Sequence, residues 1–237
     1  MSSKSQRNVY LVGNPNCGKT SLFNAITGER RRVGNWPGVT VQKLEGIANT
    51  DTANLTICDL PGTYSLTPAT PEEEIVLKTI DEAATGCIVN VVDIANFERN
   101  LFLTTQLIEL GIRPVVSLNC FDSFTRAGGT IDLQKFSTYT GTTPFPTVAR
   151  TGEGTQNLVE FIGRPEIVCV ENSASCLSLP QVWLDAAEEV MQLKNQNWQS
   201  ATPTSRYAAL GDLIRPQSGQ AVPELLEIRQ NLAKRLS

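Results

Sequence analysis

Gly13-Asn14-Pro15-Asn16-Cys17-Gly18-Lys19-Thr20 stands between an apolar run of β type, Val9-Tyr10-Leu11-Val12, and a segment in which Leu22, Phe23 and Ile26 recur at helical spacing. The octet fits G-x-x-x-x-G-K-S/T, and strand, glycine loop, helix is the context in which that spacing cradles phosphate. Gly13 and Gly18 let the backbone wrap closely, so that successive N–H groups point inward. The helix expected from Gly18 turns its positive end on the same anion. Lys19 is placed to neutralise β- and γ-phosphate charge, and the Thr20 hydroxyl to ligate Mg²⁺. Asn14, Pro15, Asn16, Cys17 and Ser21 complete the expected phosphate lining.

Working outward, Asn119-Cys120-Phe121-Asp122 follows a buried-strand run, Pro114-Val115-Val116-Ser117-Leu118. An N-x-x-D element at a strand end selects guanine. The Asp122 carboxylate can accept from the N1–H and the exocyclic amine, whereas adenine would leave it unpaired. Thr147-Val148-Ala149-Arg150 sits where a short loop presents a backbone amide to guanine O6, and Ala149 is assigned that role beside Val148. Asp59-Leu60-Pro61-Gly62 closes the run Leu55-Thr56-Ile57-Cys58 and fits D-x-x-G. Asp59 is expected to hold Mg²⁺ through water and the Gly62 amide to reach the γ-phosphate, whose loss releases the loop. Gly34 to Val41 falls where a first switch loop belongs; within it Gly38 is expected at the nucleotide and Thr40 as second hydroxyl ligand of Mg²⁺.

Together these motifs resemble the cytosolic N-terminal part of the bacterial ferrous iron transport protein B family. The resemblance lies in Gly13 to Asn24, in Val33-Gly34-Asn35-Trp36-Pro37-Gly38-Val39-Thr40-Val41, and in Asp59 to Leu66, and it covers roughly residues 8–165. It implies a GTP-binding G domain, a helical domain that influences GDP release, and a membrane-spanning iron permease beyond them. The chain would then be a soluble segment at the cytoplasmic face of the cell membrane. Its partners would be GTP and GDP, the permease of the same longer protein and, in a homo-oligomer, further copies of itself. Cys17 stands where Ser is commoner in that family, and Val148 where Ser or Thr is usual.

The residue after the D-x-x-G glycine is Thr63, where many GTPases carry a water-orienting Gln. Phosphoryl transfer depends on positioning and charge stabilisation, so slow intrinsic turnover is expected. The resemblance implies that Asn16 helps to hold K⁺ beside the phosphates, with backbone carbonyls of residues 34–39, supplying charge that an arginine finger supplies elsewhere. Asn16, Lys19, Thr40 and Gly62 are thus the expected catalytic set. Arg30-Arg31-Arg32, a charge run after a helix, reads as a solvated face or a phosphate-steering patch. Thr70-Pro71-Glu72-Glu73-Glu74 reads as a helix start, with Thr70 as cap and Glu73 closing a capping box.

Composition narrows the alternatives. Net charge is −4 and no His is present, so neither a basic nucleic-acid surface nor a Cys/His zinc site is expected. The six Cys form no C-x-x-C pair and suit a reducing compartment, with Cys58, Cys87 and Cys120 acting as small hydrophobes in or beside strands. Cys17, at a helix N-terminus, is expected to be more reactive than these. No run approaches the roughly 20 apolar residues of a membrane helix, and Lys4 and Arg7 lead straight into a strand rather than a secretory signal.

Strand patterns over 9–13, 41–48, 55–58, 88–93, 114–118 and 145–148 alternate with helical patterns from 18, from 71, and over 97–110, 133–139 and 155–162. Such alternation predicts an α/β P-loop GTPase fold, a mostly parallel sheet with helices on both faces, over residues 1–164. Residues 165–237 are expected to form a small α-helical bundle, with stripes over 181–194 (Val182, Ala186, Val190, Leu193), 206–214 and 223–236 and an ambiguous strand around 167–170. Two other readings stay open. One is a nucleotide-responsive binding module whose turnover is incidental, and the other an RNA- or ribosome-associated GTPase.

Overall fold

The computed structural model describes residues 4–28, 31–37, 39–66, 70–82, 86–167, 181–197, 205, 228 and 231. The chain divides into two compact units, Met1–Glu171 and Asn172–Ser237. In the first, β1 (Ser5–Gly13) leads to α1 (Lys19–Thr27), β2 (Arg31–Asn35), β3 (Gln42–Asn49), β4 (Ala53–Asp59) and α2 (Pro71–Glu82). There follow β5 (Cys87–Asp93), a 3-10 turn Ile94–Asn96, α3 (Phe97–Glu109), β6 (Val115–Asn119), α4 (Phe121–Arg126), α5 (Leu133–Thr140), β7 (Thr143–Pro146) and α6 (Thr155–Ile162). The strands make one sheet in the order β2-β3-β4-β1-β5-β6-β7. β4, β1, β5, β6 and β7 run parallel, while β3 is antiparallel to both β4 and β2. The parallel strands therefore all finish on one edge, at Asp59, Gly13, Asp93, Asn119 and Pro146. In sheets of this kind that edge is where ligands bind.

The pattern of each strand explains its place. β5 reads Cys-Ile-Val-Asn-Val-Val-Asp and is buried on both faces up to Asp93, the signature of a central parallel strand covered by helices on each side. On one face Val9, Leu11, Leu55, Ile57, Val89 and Val91 pack with Leu22 and Phe23 of α1 and Leu158 and Ile162 of α6. On the other, Val92, Val116 and Leu118 meet Phe136 of α5, with Phe97 and Leu101 of α3 against them. α2 begins as its sequence demands: Glu73 N–H donates to Thr70 Oγ1 at 3.3 Å, and Thr70 N–H to the Glu73 carboxylate at 3.2 Å. That reciprocal pair satisfies two N–H groups that a helix start otherwise leaves open.

Two elements depart from the expected pattern. Arg31–Asn35 is strand β2, paired with β3 from Arg31 opposite Gly46 to Asn35 opposite Gln42, rather than a loop, while residues 32–35 are exposed as a solvated run requires. The first part of the expected switch loop is therefore an edge strand, whose partners lie across the sheet and leave no local mark in so short a run. The exposed Arg32 suits an edge, where charge discourages further pairing. The second element is α4, inside the guanine motif; at six residues it is too short for helical periodicity to register.

In the second unit α7 (Gln181–Leu193) buries Ala186, Ala187, Val190 and Met191. Leu193, expected on the buried stripe, is 44% exposed, because the stripe runs through Ala187 and Met191 instead. The remaining expected helices, over 206–214 and 223–236, lie outside the described residues apart from Ile228 and Asn231, as does 168–170. Among the described residues no helix is long and apolar enough to cross a membrane.

Candidate functional site

The loop after β1 opens a cleft of about 550 Å³ lined by Asn14, Pro15, Asn16, Gly18, Lys19, Thr20, Ser21 and Gly62. Its shape depends on backbone that few residues adopt. Asn16 sits at φ +64° and Gly18 at φ +87°, and a Cβ on Gly18 would collide with Asn119 Nδ2. Across the cleft Gly62 lies so near Pro15 that a Cβ would come within 3.1 Å of the Pro15 nitrogen. Lys19 Nζ donates to Asp59 Oδ1 at 2.5 Å, and Thr20 Oγ1 donates to Asp59 Oδ2 at 2.7 Å. Lys19 and Asp59 are 8% and 6% exposed, so each needs a partner of opposite charge, and here they serve one another. A cation, a hydroxyl and a carboxylate thus converge at the ends of β1 and β4, and the hard oxygens of Thr20 and Asp59 are donors of the type Mg²⁺ takes.

The ends of β6 and β7 carry the second half of the site. Asn119 is 3% exposed and cross-links two loops: Nδ2 donates to the Cys17 carbonyl at 2.9 Å, and Oδ1 accepts from Ala149 N–H at 2.9 Å. Asn119 thereby ties the 147–150 loop to the phosphate loop. Thr147 N–H donates to the Leu118 carbonyl at 2.9 Å, and its hydroxyl lies 2.7 Å from Ser117 Oγ, extending the same seam. Cys120 takes φ +62° and starts α4, which projects Asp122 from its first turn. The Asp122 carboxylate accepts from Arg126 Nη2 at 2.8 Å and faces Arg150 at 3.7 Å. Asp122 and Val148 border a smaller hollow of about 250 Å³ between α4 and the 146–153 loop.

Not every expected residue joins these groups. Thr40 is exposed in the bend before β3 and makes no hydrogen bond with Thr20 or Asp59; Gly38 lies outside the described residues. Val148 N–H is taken by the Glu153 carbonyl at 2.9 Å. Cys17 is the reverse of reactive. Its side chain is buried, and desolvation, partly offset by Lys19, pushes the thiol up to about 11. The helix N-terminus invoked for it does not outweigh that burial. Thr63, in the place of the usual Gln, is 1% exposed and donates its hydroxyl to the Ser65 carbonyl at 2.6 Å.

Two supporting residues, Gln106 and Asn90, carry no motif in the sequence, and Asn14, expected only as phosphate lining, has a second contact. Asn14 reaches α3 by donating Nδ2 to the Arg99 carbonyl at 3.4 Å. Gln106 of α3 accepts from Leu66 N–H at 2.9 Å, holding the far end of the segment after Asp59. Asn90, polar inside the apolar run of β5, donates to the Val12 carbonyl at 3.3 Å and accepts from the Thr104 hydroxyl. A polar residue at a position that must be buried was the available signal for Asn90, since such a group needs a fixed partner.

Residues 7–162 match the sequence family described as Ferrous iron transport protein B. An Fe(2+) transport protein A/Fe(2+) transporter FeoB fusion protein of Porphyromonas gingivalis is 45% identical over 166 residues, 68% of this chain and 20% of that protein. The Fe(2+) transporter FeoB of Salmonella typhimurium is 40% identical over 198 residues, 80% of this chain and 26% of that protein. The chain therefore spans about a quarter or less of the length of these relatives. Among solved structures, a mutant of S. thermophilus NFeoB bound to mGDP superposes with a TM-score of 0.76 at 32% identity, covering 98% of this chain and 91% of that one.

Proposed function

The chain belongs to the ferrous iron transport protein B family, and on that premise we propose that it binds GTP and hydrolyses it slowly with K⁺ stimulation. It would act as the regulatory switch of a ferrous iron transporter. The observation that carries this reading is the convergence of Lys19, Thr20 and Asp59 beside the Asn119 to Ala149 strut, on the sheet edge where all parallel strands end. On binding, Lys19 exchanges Asp59 for the β- and γ-phosphates, and the N–H groups at the start of α1 close on the same oxygens. The freed Asp59 carboxylate and the Thr20 hydroxyl would hold Mg²⁺, directly or through water, joined by Thr40 once its exposed bend closes. Asn16, held at φ +64° on the cleft's lip, offers a carboxamide oxygen of the type K⁺ takes, as do the carbonyls of residues 34–39. Bound Mg²⁺ and K⁺ would supply positive charge against phosphate oxygens as negative charge develops there.

Asp122 would exchange its arginine contacts for the donor edge of guanine, and Ala149 N–H would be shared between Asn119 and guanine O6. Gly62 would turn its amide to the γ-phosphate. With the Thr63 hydroxyl committed to Ser65, no side chain at that position orients water, which accounts for slow turnover. The same observation favours one second reading, a binding module whose turnover is incidental; it would stall near one GTP per chain. By the family premise, residues 1–164 form the G domain and 165–237 a helical part that regulates GDP release. The permease of the longer protein, at whose cytoplasmic face the chain would lie, is the partner that reads the switch. The test is steady-state GTP hydrolysis with Mg²⁺ in KCl and in NaCl at matched ionic strength, with Asn16→Ala beside wild type. Faster turnover in KCl that Asn16→Ala abolishes supports the mechanism; equal rates in both salts would remove K⁺ from it, and no multiple turnover would leave the binding module.

A further inference from the structure

Asn14 carries a polar atom that the proposed reaction does not use. It lies within the phosphate loop, 3% exposed, and while Nδ2 donates to the Arg99 carbonyl, Oδ1 has no hydrogen-bond partner among the described residues. A buried acceptor left unmatched destabilises the state that contains it, and an orphan of this kind calls for a reason. Its surroundings supply one. The segment after Asp59 lies directly on the phosphate loop on both sides of Asn14: Thr63 N–H donates to the Gly13 carbonyl at 3.1 Å, and Gly62 abuts Pro15. Arg99, whose carbonyl holds the Asn14 amide, lays its guanidinium 4.3 Å from the centre of the Tyr64 ring, and Tyr64 is 43% exposed. Further along, Leu66 is pinned to Gln106. The segment is thus fastened at Thr63, whose partner Gly13 adjoins Asn14 in the chain, and at Leu66, and Tyr64 between them is partly exposed.

We propose that Asn14 is a positioning residue: its Oδ1 is the seat of the Tyr64 backbone N–H when a triphosphate draws Gly62 inward. The Arg99 to Tyr64 stacking holds the segment off that seat otherwise. This rests on the GTP-binding reading above. Asn14 then senses the γ-phosphate through the backbone that the phosphate moves, and passes the change to α3 through the Arg99 carbonyl. A purely structural Asn14, tying α3 to the loop through Nδ2 alone, would support GDP and GTP equally. The two roles separate in the ratio of affinities.

The experiment titrates the full chain with GDP and with a non-hydrolysable GTP analogue, both with Mg²⁺, for wild type, Asn14→Ala and Arg99→Ala. Asn14→Ala is expected to weaken the triphosphate analogue about 5- to 30-fold more than it weakens GDP, the factor for one buried hydrogen bond. Arg99→Ala acts in the opposite sense, raising the triphosphate-to-diphosphate affinity ratio about 2- to 5-fold as an exposed cation–π contact is lost. Equal weakening of both nucleotides by Asn14→Ala, or no weakening, overturns the proposal. Should Asn14→Ala fail to fold, an unchanged ratio in Arg99→Ala overturns it instead. Wild type binding neither nucleotide would sink the GTP reading itself, a result distinct from the loss of selectivity alone.

Discussion

Replacing Asn119 with Ala removes one side chain and breaks two loops apart. The amide carries one hydrogen bond to the Cys17 carbonyl and one from Ala149 N–H, both 2.9 Å and both buried. Alanine leaves that carbonyl and that N–H facing a space from which water is largely excluded. Two buried groups left without partners cost about 2–5 kcal/mol together. For a unit of 171 residues, Met1–Glu171, that corresponds to a fall in melting temperature of about 5–15 °C. Asn119→Asp is the informative companion. It keeps an oxygen toward Ala149 N–H but turns a carboxylate on the Cys17 carbonyl, so it is expected to restore little. Thermal unfolding by circular dichroism measures the first effect, and titration with GDP the second, because the loops that the strut joins are those proposed to hold phosphate and base. If Asn119→Ala melted within a degree of wild type and bound GDP as tightly, the strut would be no strut, and the argument from buried, paired amides would be wrong.

Gly18→Ala forces a side chain into φ +87° and against Asn119 Nδ2, so both stability and phosphate affinity should fall, the latter by more than about tenfold; wild-type GDP binding by this variant would contradict the close approach described. The buried thiols give a pH dependence. Desolvation pushes Cys17 up to about 11 and Cys58 to about 12 from 9.0. The folded chain keeps both protons where the unfolded chain loses them, so this stability is fully present below about pH 9 and is lost as pH rises through the folded values, with a slope of about 1.4 kcal/mol per pH unit for each thiol. Urea midpoints measured from pH 8 to 10.5 should fall accordingly, and less steeply in Cys58→Ala. Iodoacetamide at pH 8 should label Cys17 only after denaturation, and rapid labelling of the native chain would count against its burial.

Much of the architecture was legible because local pattern and tertiary role coincide. β1, β4, β5 and β6 are apolar runs that the sheet buries, and α1 starts where Gly18 ends the phosphate loop. The Thr70 and Glu73 capping box is local by nature, its partners being three residues apart. β2 leaves no local mark because its ladder is supplied by β3, and α4 leaves none because six residues hold less than two helical turns. The low reactivity of Cys17 has a related reason: the helix N-terminus is visible in the sequence, whereas the packing that buries the thiol is not.

The sequence by itself determined the parallel sheet, the glycine loop at the end of its first strand, and the residue types that the loop presents. These follow from steric limits and hydrophobic periodicity, which act between near neighbours. Only the tertiary structure decided that Lys19 and Thr20 close on Asp59, that Asn119 binds the 149 loop to residue 17, and that Asn14 meets α3 with one oxygen unmatched. Each of those contacts joins residues far apart in the chain, and the match between a buried donor and its acceptor exists only once the strands are side by side.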